Sequence, residues 1–383
     1  MGLKIRAIKL RDHVFSNWQA EVENHWEYQD FVSNPLWRDG WISMCCAVYR
    51  AIDNRVYIGI SSFGKDTFYA YDRKSDSFID LGFDRIANKY DAKFHRSLEL
   101  GSDGCLYAAI ALLHDVDRYL DAPGGAIVKY DPFSGNITKL CVPIPHSYIQ
   151  SICLDNVNKT VYSLHFAPEQ LSAFDLTTGT VRDYGLIGTG YSGIVMPENI
   201  VLDKNGCVWA SWSLTRAWQS SSGPDSRRLC KIDTKHQKIT HFKTGLPMPN
   251  GSCGYAKIES FMNLGDGFIY ASGPNGSLYR IDTDTAESQY LFTPIKDRPS
   301  RLASLVVGTD GFAYGVTGRE GKCELLRFDF KKTKYELLGP IVATDGTACF
   351  QAHDICVTSD GTFYVCENDN PGRSGYLWEI KIN

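Results

Sequence analysis

Short apolar runs broken by turn residues recur along the whole chain, regularly enough to predict its elements. One unit reads as an apolar strand, an Asp/Asn-Gly turn, a strand opening on an aromatic, a variable loop, a strand closing on aromatic–Asp, and a short Thr/Ser-Gly turn. The turns are clearest at Ser102-Asp103-Gly104, Lys204-Asn205-Gly206, Gly265-Asp266-Gly267, Thr309-Asp310-Gly311 and Ser359-Asp360-Gly361. Degenerate copies stand at Asp53-Asn54 and Asn156-Val157-Asn158. Asp-Gly between alternating apolar runs predicts a hairpin, because the tight turn needs a residue that accepts positive φ.

The aromatic after each turn serves as a ruler: Tyr57, Tyr107, Tyr162, Trp209, Tyr270, Tyr314 and Tyr364, mostly 44 to 55 residues apart and once 61. The outgoing strands carry Tyr71-Asp72, Tyr130-Asp131, Phe174-Asp175, Ile232-Asp233, Ile281-Asp282 and Phe328-Asp329, with Trp378-Glu379 in the last copy. Four short strands per repeat at this period predict an all-β fold: a seven-bladed β-propeller of four-stranded antiparallel blades, one domain over 1–383. The last repeat is one strand short. The alternating segment Leu3 to Leu10 is expected to complete it and close the ring. Residues 11–43 form an aromatic-rich connection before blade 1, including WEYQDFVSNPLWRDGW (26–41), expected as a packed loop or short helix.

Composition narrows the function. The chain has 383 residues, 43% of them hydrophobic, and a net charge of −4 with both signs interspersed. No Lys/Arg block offers the concentrated basic face that phosphate binding needs, so nucleic acid is not an expected partner. No apolar run is long enough to cross a membrane, and the N-terminus MGLKIRAIKLRD has no apolar signal core. The 12 cysteines include no Cys-x-x-Cys pair or zinc-finger spacing, and several fall inside apolar strand patterns. The expectation is a reduced, cytoplasmic protein. Aromatics at 13% suit both β structure and carbohydrate contact.

In a propeller blade, the loop entering the innermost strand and the loop joining the second and third strands share one face. Residues at the start of each inner strand therefore surround the mouth of the central channel. Eleven to 13 residues before each ruler aromatic stand Cys45, His95, Gln150, Glu198, Glu259 or Lys257, Arg301, and His353 or Gln351. His114 and Arg216 lie seven residues after Tyr107 and Trp209, at second-strand exits on the same face. Both belong to long loops, 114–125 and 215–228, and long loops on a rigid scaffold are where function concentrates. Tyr148 is either a core residue or a proton donor, and His165 and His353 are further candidates. The structural alternatives are a satisfied core histidine for His95 and an ion pair with Asp225 for Arg216. His13, His25, His236 and His241 read as surface residues. His114-Asp115-Val116-Asp117 offers mixed nitrogen and oxygen donors but reads first as a solvated loop. A structural divalent cation, Ca or Zn, would suit the central channel, though no ligand spacing defines one. No phosphate-cradling loop or G-x-S-x-G elbow is present.

The string HRSLELGSDGCLYAAI followed by HDVDRYLDAPGGAIVKYDP, with two histidines 19 residues apart across a hairpin, resembles the seven-bladed propeller polysaccharide lyases, among them ulvan and rhamnose–glucuronate lyases. The propeller pattern covers nearly the whole chain; the specific resemblance covers mainly blades 2 and 3. It implies that two histidines, a tyrosine and an arginine act on a uronic acid. His95 and His114 match the histidine pair. Tyr148, Tyr162 and Tyr191 compete for the tyrosine, and Arg96, Arg182 and Arg216 for the arginine.

Eliminating a 4-linked sugar from a uronate requires removal of a weakly acidic C5 proton. A cation such as Arg216 or Arg96 would stabilise the enolate, His95 would take the proton, and Tyr148 or His114 would protonate the departing oxygen. Gln150, His165, Glu198, Arg301, His353 and Arg96 are the candidate substrate-binding residues. The expected function is a lyase cleaving small uronic-acid-containing oligosaccharides by β-elimination, with oligomeric state left open. One alternative is a rhamnosidase-like glycoside hydrolase, which would want paired carboxylates such as Glu198 and Glu259. Blade 4 is also similar to repeats of propeller lyases that open streptogramin antibiotics. A non-enzymatic glycan- or protein-binding propeller is the third class, because fold does not decide function.

Overall fold

The computed structural model describes residues 2–16, 27–64, 66–113, 116–166, 169–188, 199–213, 227–248, 255–256, 258–273, 275–298 and 300–383. The turn aspartates explain why each repeat forms a hairpin. In four repeats the turn aspartate accepts a hydrogen bond from the tyrosine four residues on: Tyr57 to Asp53 at 2.6 Å, Tyr107 to Asp103 at 2.8 Å, Tyr270 to Asp266 at 3.0 Å and Tyr314 to Asp310 at 2.7 Å. Asp203 does the same for the Trp209 indole at 2.8 Å. The other carboxylate oxygen often takes a turn amide, as Asp103 takes that of Cys105. Gly104 sits at φ +77°, the left-handed conformation the turn requires. Aspartates ending the third strands close the next turn: Asp175 accepts from the amides of Thr177 and Thr178, and Asp282 from those of Asp284 and Thr285.

These hairpins assemble into an all-β molecule of four-stranded antiparallel sheets. A 12-stranded sheet consists of three consecutive four-stranded meanders. Unit 1 has strands Ile42–Arg50, Arg55–Ser62, Phe68–Asp72 and Ser77–Asp80. Unit 2 has Asp91–Leu100, Leu106–Leu112, Ile127–Asp131 and Asn136–Cys141. Unit 3 has Tyr148–Asp155, Thr160–Phe166, Gln170–Asp175 and Val181–Leu186. Single bridges join them: Ser61 to Lys93, antiparallel, and Ser151 to Arg96, parallel. Unit 4 follows with Val201–Leu202, Val208–Ser213, Arg227–Asp233 and Lys238–His241. Unit 5 is Ser260–Asn263, Phe268–Ser272, Leu278–Asp282 and Ser288–Phe292, and unit 6 is Leu302–Val307, Ala313–Thr317, Glu324–Asp329 and Lys334–Pro340. Unit 7 has Ala352–Val357, Phe363–Glu367 and Leu377–Ile382, and its fourth strand is the N-terminal Leu3–Ile8, registered Leu3 to Ile382 through Ile8 to Leu377.

The core lies between sheets rather than at one centre. Tyr57, Phe68, Leu106 and Tyr130 pack units 1 and 2 together, and Tyr314, Phe363 and Trp378 pack units 6 and 7. The aromatic stretch before unit 1 forms two short helices, Tyr28–Ser33 and Pro35–Gly40. Phe31 stacks on Phe63 at 4.3 Å, and Tyr28 meets Tyr90 edge-on at 4.9 Å. Phe63 follows the second strand of unit 1 and Tyr90 precedes the inner strand of unit 2, so the helices flank the face carrying the candidate site. Among the described residues no helix is long and apolar enough to cross a membrane.

Candidate functional site

Each unit's first strand is its inner strand, and several of these strands bulge near their starts. The register slips between Met44 and Cys46, Phe94 and Leu98, Ile149 and Ser151, Leu302 and Ser304, and Ala352 and Asp354. Cys45, the His95–Ser97 segment, Gln150, Ala303 and His353 are therefore turned out of the ladder. Bulges re-aim side chains and leave backbone groups without ladder partners, and a buried carbonyl must be paired elsewhere. Here side chains from other units do this. His95 Nδ1 lies 2.8 Å from the Gln150 carbonyl of unit 3, and His353 Nδ1 lies 2.5 Å from the Cys45 carbonyl of unit 1. Arg96 Nη1 donates to the Ala303 carbonyl of unit 6 at 2.7 Å.

The predicted pair His95-Arg96 thus stands at a meeting point of units 1, 2, 3, 6 and 7. The rings of His95 and His353 are edge to face, with centroids 5.0 Å apart. Both are enclosed, at 4% and 2% exposure. Each Nδ1–H points at a carbonyl, which makes Nε2 the basic nitrogen of each ring. His353 is held well below the usual imidazole range, first by burial and then by the positive charge of Arg96, His95, Arg301 and Lys93. Arg301, at the start of the unit 6 inner strand, donates Nε to Glu259 Oε2 at 3.1 Å. Tyr148 opens the unit 3 inner strand, half-buried. Gln150 is fully buried, and neither its carboxamide oxygen nor its nitrogen has a hydrogen-bond partner. Such groups are rare in folded proteins.

His165 pairs in register with Ile149, the residue before Gln150. It lies on the second strand of unit 3, fully buried, with Nε2 2.8 Å from Ser172 Oγ, and burial pushes it down to about 3. It is neutral at ordinary pH. His114, Glu198, Arg216, Tyr191 and Lys257 lie outside the described residues. Among the described residues no three His, Cys, Asp or Glu side chains converge as a metal site.

Two acidic groups at the inner strands escaped the ruler. Asp354 follows His353 and accepts from the Ala47 amide at 2.9 Å and the Ser304 hydroxyl at 2.7 Å; burial pushes its carboxyl up. Glu99, at the far end of the His95 strand, is pushed up to about 7 by burial, with repulsion from Asp354 adding to it. The only sequence signal was an acidic residue interrupting an otherwise apolar inner strand. A carboxyl whose folded pKa is raised stabilises the fold fully below its unfolded value, near 4.5, and that contribution is lost as pH rises through about 7. Glu99→Gln is therefore expected to match the wild type near pH 4.5 and to exceed it above pH 7, by about 3 kcal/mol at most. Urea unfolding across this range checks it, and a difference that stays flat contradicts it.

No family model matches the chain, and no curated protein sequence matches it. Solved structures do. The WD40 repeats of RRP9 superpose with a TM-score of 0.57 at 10% identity, covering 99% of this chain and 98% of that one. The WD40 β-propeller domain of Doa1 gives 0.56 at 10%, covering 90% and 94%. The extracellular domain of the hybrid two-component system BT4673 from B. thetaiotaomicron gives 0.56 at 12%, covering 88% of this chain, which spans 40% of that one. At these identities the likeness is one of fold: a β-propeller.

Proposed function

We propose that this chain is a single seven-bladed propeller, closed by its N-terminal strand, that cleaves uronic-acid-containing oligosaccharides by β-elimination at one mouth of its channel. Support for the ring comes from the inner strands, each of which lies against the next in chain order, with that of unit 7 against that of unit 1. The observation that carries the catalytic reading is the convergence of His95, His353, Arg96 and Arg301 around the bulged strand starts. The guanidinium groups of Arg96 and Arg301 at one channel end favour an anionic ligand, and a uronate supplies both the anion and an acidic proton beside it.

In this reading Arg96 faces the substrate carboxylate and stabilises the enolate that forms when C5 loses its proton. His95 Nε2 takes that proton. The electron pair then forms the C4–C5 double bond, the C4–O bond breaks, and the departing oxygen receives a proton from Tyr148. The Gln150 carboxamide reads a sugar hydroxyl, and Arg301, oriented by Glu259, flanks the next sugar. The test is incubation with a panel of saturated uronate oligosaccharides while following the absorbance of the new enol ether. Its appearance supports elimination. Sugar release without absorbance favours the hydrolase. A second reading, a glycan-binding propeller without catalysis, draws on the near-complete enclosure of His95 and His353 as pins between units; saturable binding with no product would favour it.

A further inference from the structure

The turn side of the molecule, away from the channel mouth, holds a cleft of about 720 Å³ between units 3 and 4. Its volume lies in the range of small-molecule sites, about 300–1,000 Å³, but its lining is polar. Asn158, Asp175, Arg182, Tyr184, Asn205 and Lys235 carry most of the chemistry.

The cleft coincides with a departure from the repeat. In units 1, 2, 5 and 6 the ruler tyrosine is tied to a turn aspartate of its own unit, as at Tyr107 and Asp103. The unit 3 turn is the degenerate Asn156-Val157-Asn158, so no aspartate stands four residues before Tyr162, which lines the cleft together with Thr234 of unit 4. Thr234 donates to the Gly206 carbonyl at 2.8 Å. Tyr162 is 5% exposed there. Unit 3 leaves residues of its outer strands, Asp175, Arg182 and Tyr184 among them, facing the opening.

We propose that this cleft is a second carbohydrate site, taking an acidic oligosaccharide. Asparagine amides and the Asp175 carboxylate suit pairs of sugar hydroxyls, and Tyr184 offers an aromatic face to a sugar ring. Arg182 and Lys235, on opposite walls, suit a carboxylate between them. An apolar ligand would find few partners. The acidic-sugar class is taken from the catalytic reading above and rests on it; the site itself rests on its lining. The strand Thr160–Phe166 starts in the cleft and ends on the mouth side, so a chain held here would be anchored without occupying the reacting site.

The test uses the full chain carrying His95→Asn, so that nothing is turned over, titrated calorimetrically with tetragalacturonate and with its methyl ester. The expected result is two binding events, at the mouth and in the cleft, of which Arg182→Ala with Lys235→Ala weakens one at least tenfold and leaves the other, and the neutral ester loses the weakened one to a similar degree. Both residues are exposed, so the double variant retains the fold. Binding unchanged in the double variant, equal binding of the ester, or no binding in the millimolar range each overturns the proposal. Absence of elimination by the wild-type chain alongside binding that needs Arg182 and Lys235 would sink the catalytic reading and leave this site standing.

Discussion

His95→Asn is expected to lower the rate of elimination by about 10²–10⁴-fold, the usual contribution of a positioned general base, while leaving the fold intact. The asparagine amide can still donate to the Gln150 carbonyl that His95 Nδ1 meets at 2.8 Å, so the bulge keeps its partner. What is lost is the basic Nε2. His95→Ala should lose the same activity and also destabilise the protein by about 1–3 kcal/mol, because a buried carbonyl is left without its partner. The pair of variants separates chemistry from architecture. If His95→Asn retains activity within threefold of wild type, His95 is a pin between units and not the base.

Glu367→Ala is expected to cost about 3–5 kcal/mol of stability, the range for breaking a buried ion pair by removing one partner. Glu367 is fully buried and accepts from both terminal nitrogens of Arg373, at 2.8 and 2.9 Å. It also accepts from the Phe350 amide at 2.7 Å, the Tyr376 amide at 3.0 Å and the Trp378 indole at 3.2 Å. The carboxylate thus ties the loop before the unit 7 inner strand to that unit's second and third strands. Beside it, Ser374 N bonds to the His13 carbonyl and Phe15 N to the Gly372 carbonyl, so the N-terminal segment rests on the same loop. Removing the carboxylate strands the Arg373 charge and several donors together. Urea unfolding checks this, and a loss below about 1 kcal/mol would mean that water replaces the network at little cost.

Much of the fold was legible because its signals are local. An Asp-Gly turn and an aromatic four residues after the aspartate bond to each other, so spacing along the chain is spacing in the hairpin. The missing strand of unit 7 was legible for the same reason: Leu3 to Ile8 alternates as an edge strand must. The cluster proposed as the site was half legible. Counting back from the aromatics reached His95, Gln150 and His353, because those positions lie in the first half of the inner strands. It could not show that they sit in bulges, since a bulge depends on the neighbouring strand. Nor could it show that His353 meets His95 across unit 1 or that Arg96 reaches Ala303 in unit 6, contacts between residues 207 or more positions apart for Arg96. Glu367 was missed because its partners are backbone amides and an arginine in a polar loop, which leave no periodic trace. His165 was a candidate by residue type alone, and its ring meets Ser172 within unit 3.

The account's central claim is elimination at the channel mouth, and the mass balance of the products tests it most directly. Uronate tetrasaccharides should be converted by the wild-type chain into fragments whose masses sum to that of the substrate, one fragment carrying a C4–C5 double bond visible as a new olefinic proton by NMR. His95→Asn should leave the substrate whole. Fragments whose summed mass exceeds the substrate by one water, with no olefinic proton, would contradict the claim and assign hydrolysis instead.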